Sequence, residues 1–384
     1  MHTSTTADNP VPPRRTDADK VLLSEGRFRA FTLDDIPVIA SLYDRLFSRG
    51  EGKPSDRLCD YFEGMFFKHP WADPLVKCWI YETNQGDVKA FTGSRPVRMM
   101  FDGQLITAAA GGYSMVTEDY QGRGLGSLLM RYDSEQEAAA FSCSDASGGF
   151  QMHVCESYCG SARVQVAGVQ WEFALRGSRL DDVTGTGSKI MRLPNRIVNE
   201  MKLRRRRARI EQQLKGAQIS EVAPDIPERL PEMLPKGTRL YPLYDAEYIS
   251  WLMKTAAFVF SRGNLRHSTV LNEKGDDIDG WYFLWVPEND RAEALQIVSR
   301  QGAEERVLAQ LIGHADREGA TSVAGPWLGN DILVAAQNMG CHIGYIPTRT
   351  LIRSRNSEIM RAFMSGRYFM SAFEFDSWLN LNVR

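Results

Sequence analysis

Residues 116–129 read VTEDYQGRGLGSLL. The run before them, LITAAAGGYSMV (105–116), looks like a strand, and the run from about Gly124 carries apolar residues at helical spacing. The segment is therefore strand, short loop and helix start. Backbone N–H groups at a helix start have no partner within the helix. With the helix dipole they attract anions, each favourable charge contributing about 0.3–1 kcal/mol. Gly122, Gly124 and Gly126 place no side chain between that backbone and a ligand. Arg123 adds a mobile positive charge, and Gln121 and Ser127 add neutral donors. A pyrophosphate suits such a cradle. The competing reading is a bend that uses Gly only to turn. The pattern is not a P-loop, because no Gly-Lys-Ser/Thr follows. Nor is it a Rossmann fingerprint, because three strands precede it without alternating helices.

Upstream, GRFRAFT (26–32) reads as a strand, and DDIPVIASLYDRLF (34–47) and SDRLCDYFEGMFFKH (55–69) as helices. VKCWIYET, VKAFTGSRPVRMMF and LITAAAGGYSMV follow as three strands divided by turn signals at Asn84–Gly86 and Asp102–Gly103. Downstream, GSLLMRYDSEQEAAAF (126–141) reads as a helix and GFQMHVCE (149–156) as the fifth strand. SYCGSARVQVAG (157–168) then reads as a helix leading into WEFALRGSRL (171–180), the strand expected to close the unit. PNRIVNEMKLRRRRARIEQQLKG (194–216) reads as one helix, and SEVAPDIPERLPEMLPKGT (220–238), with four prolines, as an extended linker. From Leu240 onward the element order of the first half repeats, ending in HIGYIPTRTLIRS (342–354) as a final strand. The predicted organisation is a disordered tail over 1–20, a first α/β domain over 21–190, a basic helix and linker over 191–236, and a second domain over 237–384.

Here the chain resembles the GNAT superfamily of N-acetyltransferases. Gln121-Gly122-Arg123-Gly124-Leu125-Gly126 is similar to that family's Q/R-x-x-G-x-G/A signature, and the element order of residues 26–180 is similar to its fold. The resemblance implies two tandem mixed-sheet GNAT-like domains. It also implies that acetyl-CoA or another acyl-CoA binds the first, through Val116, Thr117, the turn and helix start at Gln121–Ser127, and Ser157. In the second half the matching stretch, Ser299–Glu305, reads SRQGAEE, with one Gly and two acids. Two carboxylates repel a pyrophosphate, so that copy is expected to be degenerate.

Amine acylation needs a neutral amine, and an alkylammonium has a pKa of about 10, so a base or water chain must take a proton. Many family members protonate the leaving thiolate with a Tyr four residues before a Gly. Here Val164 stands four before Gly168, and Ser157 replaces the usual Asn. Glu156 is the preferred base and Tyr158 the preferred acid, both placed at the end of the fifth strand, with Glu118 as the alternative base. Tyr113 and His153 read more readily as packed or hydrogen-bonded structural residues. His153, Cys155 and Cys159 lack a fourth ligand at finger spacing, so no metal site is expected.

The 384 residues suggest two domains. The formal net charge of -2 excludes a global field for nucleic acid or anionic membrane. No apolar run reaches the roughly 20 residues of a membrane span. The N-terminus lacks a secretory signal, and the six cysteines show no C-x-x-C pair, so a cytoplasmic, reducing setting is expected. Arg204, Arg205, Arg206 and Arg207 point around most of a helix, which favours a solvated face over an RNA-tracking stripe. The expected activity is acyl transfer from acyl-CoA to a small amine acceptor, such as an amino sugar or amino acid derivative, in a biosynthetic setting. The alternatives are an aminoacyl-tRNA-dependent transferase, as in the two-domain Fem-type aminoacyltransferases it resembles in layout, and a non-catalytic CoA-binding module.

Overall fold

The computed structural model describes residues 17–48, 50, 52–134, 139–146, 163–166, 169–176, 208, 210–214, 219–220, 226–259, 263–288, 290–326, 330–345 and 349–374. Helix α1 (Asp17–Glu25) runs into strand β1 (Gly26–Ala30), so part of the stretch expected as a tail is helical. Helix α2 (Ile36–Tyr43) follows, then α3 (Asp56–Phe66), capped by the Ser55 hydroxyl accepting from the Leu58 amide at 3.2 Å. Strands β2 (Trp79–Thr83), β3 (Val88–Phe101) and β4 (Gln104–Val116) pair antiparallel in succession. Asp102 and Gly103, both at positive φ, turn the hairpin between the last two. Helix α4 (Leu125–Ser134) crosses back, and β5 (Phe141–Ala146) pairs parallel to β4. The fifth strand is thus eight residues earlier than GFQMHVCE. Only its first residue, Phe141, falls within the helix expected over 126–141, because an alanine run hides the boundary.

The second half repeats this pattern. Helix α5 (Ala246–Val259) precedes the antiparallel strands β10 (Gly263–Leu271), β11 (Ile278–Pro287) and β12 (Arg291–Ser299). Helix α6 (Glu304–Arg317) leads to β13 (Ser322–Pro326), parallel to β12, and α7 (Asn330–Met339) follows. The repetition extends to irregularities. On β4, Thr92 faces Ser114 and Gly93 faces Gly112, so Tyr113 is an extra, bulged residue. On β12, Phe283 faces Gln296 and Leu284 faces Ala294, which makes Leu295 the bulged residue there.

The last strands depart from the expected plan. β7 (Val169–Ala174), which the sequence suggests closes the first unit, pairs instead with β13 and with β14 (His342–Tyr345) in the second sheet. Reciprocally, HIGYIPTRTLIRS is two strands, and the second, β15 (Arg349–Arg353), enters the first sheet between β5 and β6 (Arg163–Val166). The stretch around β6 had been expected to be helical. With β8 (Ile219–Ser220), the sheet orders are β1-β2-β3-β4-β5-β15-β6 and β14-β7-β13-β12-β11-β10-β8. A further strand, β9 (Leu240–Pro242), pairs with β3 in the first sheet and not with the second. Each half therefore lends its closing strand to the other.

Packing explains why the exchange holds. Trp171 and Phe173 of β7 are fully buried in the second half's core, and the Trp171 indole lies across Gly325 of β13. A Cβ at Gly325 would meet that ring at 2.6 Å, so only Gly permits the pairing. The largest apolar cluster joins residues of both halves, from Phe62 and Phe91 to Trp281 and Phe283. The Pro-rich stretch is not merely extended. It coils at Ile226–Met233 and buries Leu230 and Met233. Helix α8 (Ser357–Met364) and the buried turn Ala372–Glu374 end the described chain. Among the described residues, no helix is long and apolar enough to cross a membrane.

Candidate acyl-CoA site

Pairing between β4 and β5 runs from Ala108 with Phe141 to Gly111 with Ser144, and stops there. Beyond Gly111, β4 continues to Val116 still paired with β3, so the two central strands part at this point. The bulged Tyr113 sits just past the parting, with φ of 34°, a region that non-Gly residues seldom occupy. Its hydroxyl meets that of Tyr61 on α3 at 2.8 Å, and its ring packs edge-on against Tyr43. Burial pushes the Tyr43 phenol up to about 12. Below the parting, Asp133 of α4 accepts from the Ser94 hydroxyl at 2.5 Å and lies 3.8 Å from the Arg353 guanidinium. Arg353 comes from β15, so the exchanged strand supplies the charge beside this half-buried acid.

At the far end of β4, Glu118–Tyr120 form a single 3-10 turn before the glycines. Gly122 and Gly124 take φ of 76° and 89°, as a left-handed turn requires. A Cβ at Gly122 would meet nothing within 4 Å, and at Gly124 and Gly126 only Ala18 at 4.0 Å and Val116 at 3.8 Å. The approach to this backbone is open. Leu128 donates to the Gly124 carbonyl at 3.1 Å as α4 gets under way, and the Gln121 and Arg123 amides donate to the Thr117 and Tyr120 carbonyls at 3.1 and 3.4 Å. The first amides of α4 are those that a helix start leaves without an intrahelical acceptor. An open, glycine-lined, amide-rich helix start fits a diphosphate.

Two side chains at the turn are less mobile than the sequence suggests. Gln121 donates its side-chain amide to the Val116 carbonyl at 3.0 Å. Arg123 holds both oxygens of Glu25 at 2.8 and 2.7 Å and lies over the Tyr120 ring at 4.4 Å. Glu25 ends α1, which spans this corner. Leu22 is buried against Leu125, Leu128 and Leu129 of α4, and Asp19 forms a buried ion pair with Arg131. Thr117 donates its amide to the Lys89 carbonyl at 2.9 Å, and Glu118 is solvent-exposed.

The same layout recurs in solved structures. A GCN5-related N-acetyltransferase from Anabaena variabilis ATCC 29413 aligns with 86% of this chain and 73% of its own, at 12% identity and a TM-score of 0.58. The fold is that of the GCN5-related N-acetyltransferases. A conserved protein of unknown function from Enterococcus faecalis V583, described as a probable N-acyltransferase, aligns over 86% and 73% at 11% identity and a TM-score of 0.56. Saccharomyces cerevisiae N-myristoyltransferase with bound myristoyl-CoA aligns over 91% and 81% at 10% identity and a TM-score of 0.52. No family model matches the chain, and no curated protein does.

In this GNAT fold, the residues expected to bind cofactor from Val116 to Ser127 come together at one corner. Glu156, Ser157 and Tyr158 lie outside the described residues, as do His153, Cys155, Cys159 and the Arg204–Arg207 run. The strand that pairs with β4 is described over Phe141–Ala146. Sequence reasoning missed Asp133 and Arg353, which are far apart in the chain and meet only through the exchanged strand. The second GNAT turn is shut by its own side chain. Both Glu304 oxygens accept from the Gly302 amide, at 3.0 and 2.9 Å.

Proposed function

We propose that the chain is an acyl-CoA-dependent N-acyltransferase acting on a small amine acceptor, such as an amino sugar or amino acid derivative. The observation that carries this reading is the contrast between the halves. The first has an open glycine turn beside a strand parting, and the second has a turn capped by its own carboxylate. Within the turn Gln121–Ser127, backbone amides at the helix start, Gly124–Ser127, would hold the diphosphate, and the parting past Gly111 leaves β4 backbone free to bond an extended pantetheine arm. Acyl-CoA supplies an activated thioester carbonyl.

The chain's own residues must then take a proton from the amine and give one toward the leaving sulfur. Glu156, Tyr158 and Glu118 are the candidates from sequence, and the Tyr113–Tyr61 hydroxyl pair is the candidate that the fold adds. The test is turnover of acetyl-CoA and longer acyl-CoAs with a panel of amino sugars and amino acid derivatives, followed by thiol release. Thiol release that needs both an acyl-CoA and an amine supports the reading. CoA binding without turnover across the panel favours a binding module.

A further inference from the structure

The second half keeps the shape of the first but fills it differently. Pairing between β12 and β13 stops at Glu293 with Ala324, two residues before the bulged Leu295, as pairing in the first half stops two residues before Tyr113. The parting that follows is occupied by the chain itself. Phe369, Met370 and Ser371 lie along Ala294–Ile297, and Gln296 donates to the Ser371 hydroxyl at 3.1 Å. Where the cofactor turn stands in the first half, a cavity of about 240 Å³ remains at the end of β12.

Its chemistry differs from that of a diphosphate cradle. Met233, Val298, Ile332 and Phe369 make its apolar wall. The loop amide that would greet a phosphate, that of Gly302, donates to Glu304, whose carboxylate also lines the cavity, so the anion-receiving side is the opposite rim. Lys236 and Arg367 stand exposed at the rim, on adjoining segments tied by the Arg239 amide donating to the Arg367 carbonyl at 2.9 Å. Among the described residues, neither cation forms an ion pair. The Arg367 Nε donates to the Ser365 hydroxyl at 3.1 Å.

We infer that this cavity is a second ligand site, and that it takes a small monocarboxylate carrying one apolar group. The apolar wall receives the body, and Lys236 and Arg367 receive the carboxylate. The volume falls below the roughly 300–1,000 Å³ of sites for drug-sized ligands, which excludes a nucleotide cofactor. The site is independent of the acyl-transfer reading, since it shares no residue with Gln121–Ser127.

Calorimetry on the full chain with phenylacetate tests it, with 2-phenylethylamine as the probe of matched shape and opposite charge. Expected are saturable binding of one phenylacetate per chain, at least ten-fold weaker binding of the amine, and a ten-fold or greater loss in Lys236→Glu/Arg367→Glu. Ile332→Trp should block the cavity and abolish binding, with CoA affinity unchanged in all variants. Absence of saturable phenylacetate binding, equal binding of the amine, undiminished binding in the charge-reversed variant, or displacement of phenylacetate by CoA would overturn the inference.

Discussion

Gly124 and Gly126 serve the same corner for different reasons. Gly124 holds a left-handed φ, so any side chain there also strains the backbone by about 1–2 kcal/mol. Gly126 lies within α4, where a Cβ makes only an ordinary contact with Val116 at 3.8 Å. Gly126→Glu is therefore the cleaner probe. It should abolish CoA binding by placing bulk and negative charge against the diphosphate, with the melting temperature nearly unchanged. Unchanged CoA affinity by calorimetry would refute the site. His69 offers a test at the same scale. Its ring is buried, with Nδ1 accepting from the Trp71 amide at 3.0 Å. Burial, with Arg95 and Arg98 nearby, pushes it down to about 2. In the unfolded chain it takes a proton near its ordinary value of about 6.5. The unfolded state thus binds more protons between those values, and stability falls as pH drops below about 6.5, at up to about 1.4 kcal/mol per pH unit. His69→Asn keeps an acceptor for Trp71 and should flatten this dependence between pH 7 and 5 in urea titrations. An unaltered pH dependence would show that His69 titrates normally in the fold.

At the scale of elements, α1 and β15 carry the consequences. α1 is held to α4 by the buried Asp19–Arg131 pair, both side chains being almost inaccessible. Removing one partner strands the other charge, which typically costs about 3–5 kcal/mol. Asp19→Ala should destabilise by that order in chemical denaturation. It should also weaken CoA binding, because α1 carries Glu25, which holds Arg123 at the turn. A loss below about 1 kcal/mol would mean that α1 is a loosely docked arm. β15 lies between β5 and β6, so residues 1–190 alone leave both strands without their neighbour. That fragment should be insoluble or lack native circular dichroism. Coexpression with residues 191–384 should restore a soluble complex, and an independently folded 1–190 would argue that the exchange is dispensable.

For the whole molecule, the two halves have one fold and unequal sites. The open turn belongs to the first half. In the second, Glu304 caps the turn and Phe369–Ser371 fill the parting. Calorimetry should therefore give one CoA per chain, and two would refute the asymmetry. A further buried network binds the halves at their junction. Tyr244 donates to Glu374 at 2.6 Å, Gln296 donates to the Tyr244 oxygen at 2.8 Å, and Trp281 donates to Gln296 at 2.9 Å. Burial raises the Glu374 carboxyl, with the Tyr244, Ser371 and Arg95 interactions opposing that rise. Its carbonyl oxygen lies 3.5 Å from Cys143 of β5, so the chain's last described turn reaches the strand that borders the parting.

What the sequence by itself determined was local. The turn at Gln121–Gly126 was legible because glycine conformation and helix-start amides act over a few residues. β3 and β4 were legible because their apolar runs and turn residues lie side by side in the chain. The acids of Ser299–Glu305 pointed to the closed second turn for the same reason. Only the tertiary structure decided which sheet each closing strand joins, since β7 and β15 have equally good strand patterns and either sheet could accept them. Trp171 over Gly325 selects the exchanged pairing, and no periodicity encodes a contact between residues so distant in sequence. The boundary of β5 was also hidden, because alanines suit a helix and only pairing with β4 makes Phe141–Ala146 a strand. The group at Asp133, Ser94 and Arg353 belongs to the same class. Its members come from three elements, and the exchange of strands is what brings them together.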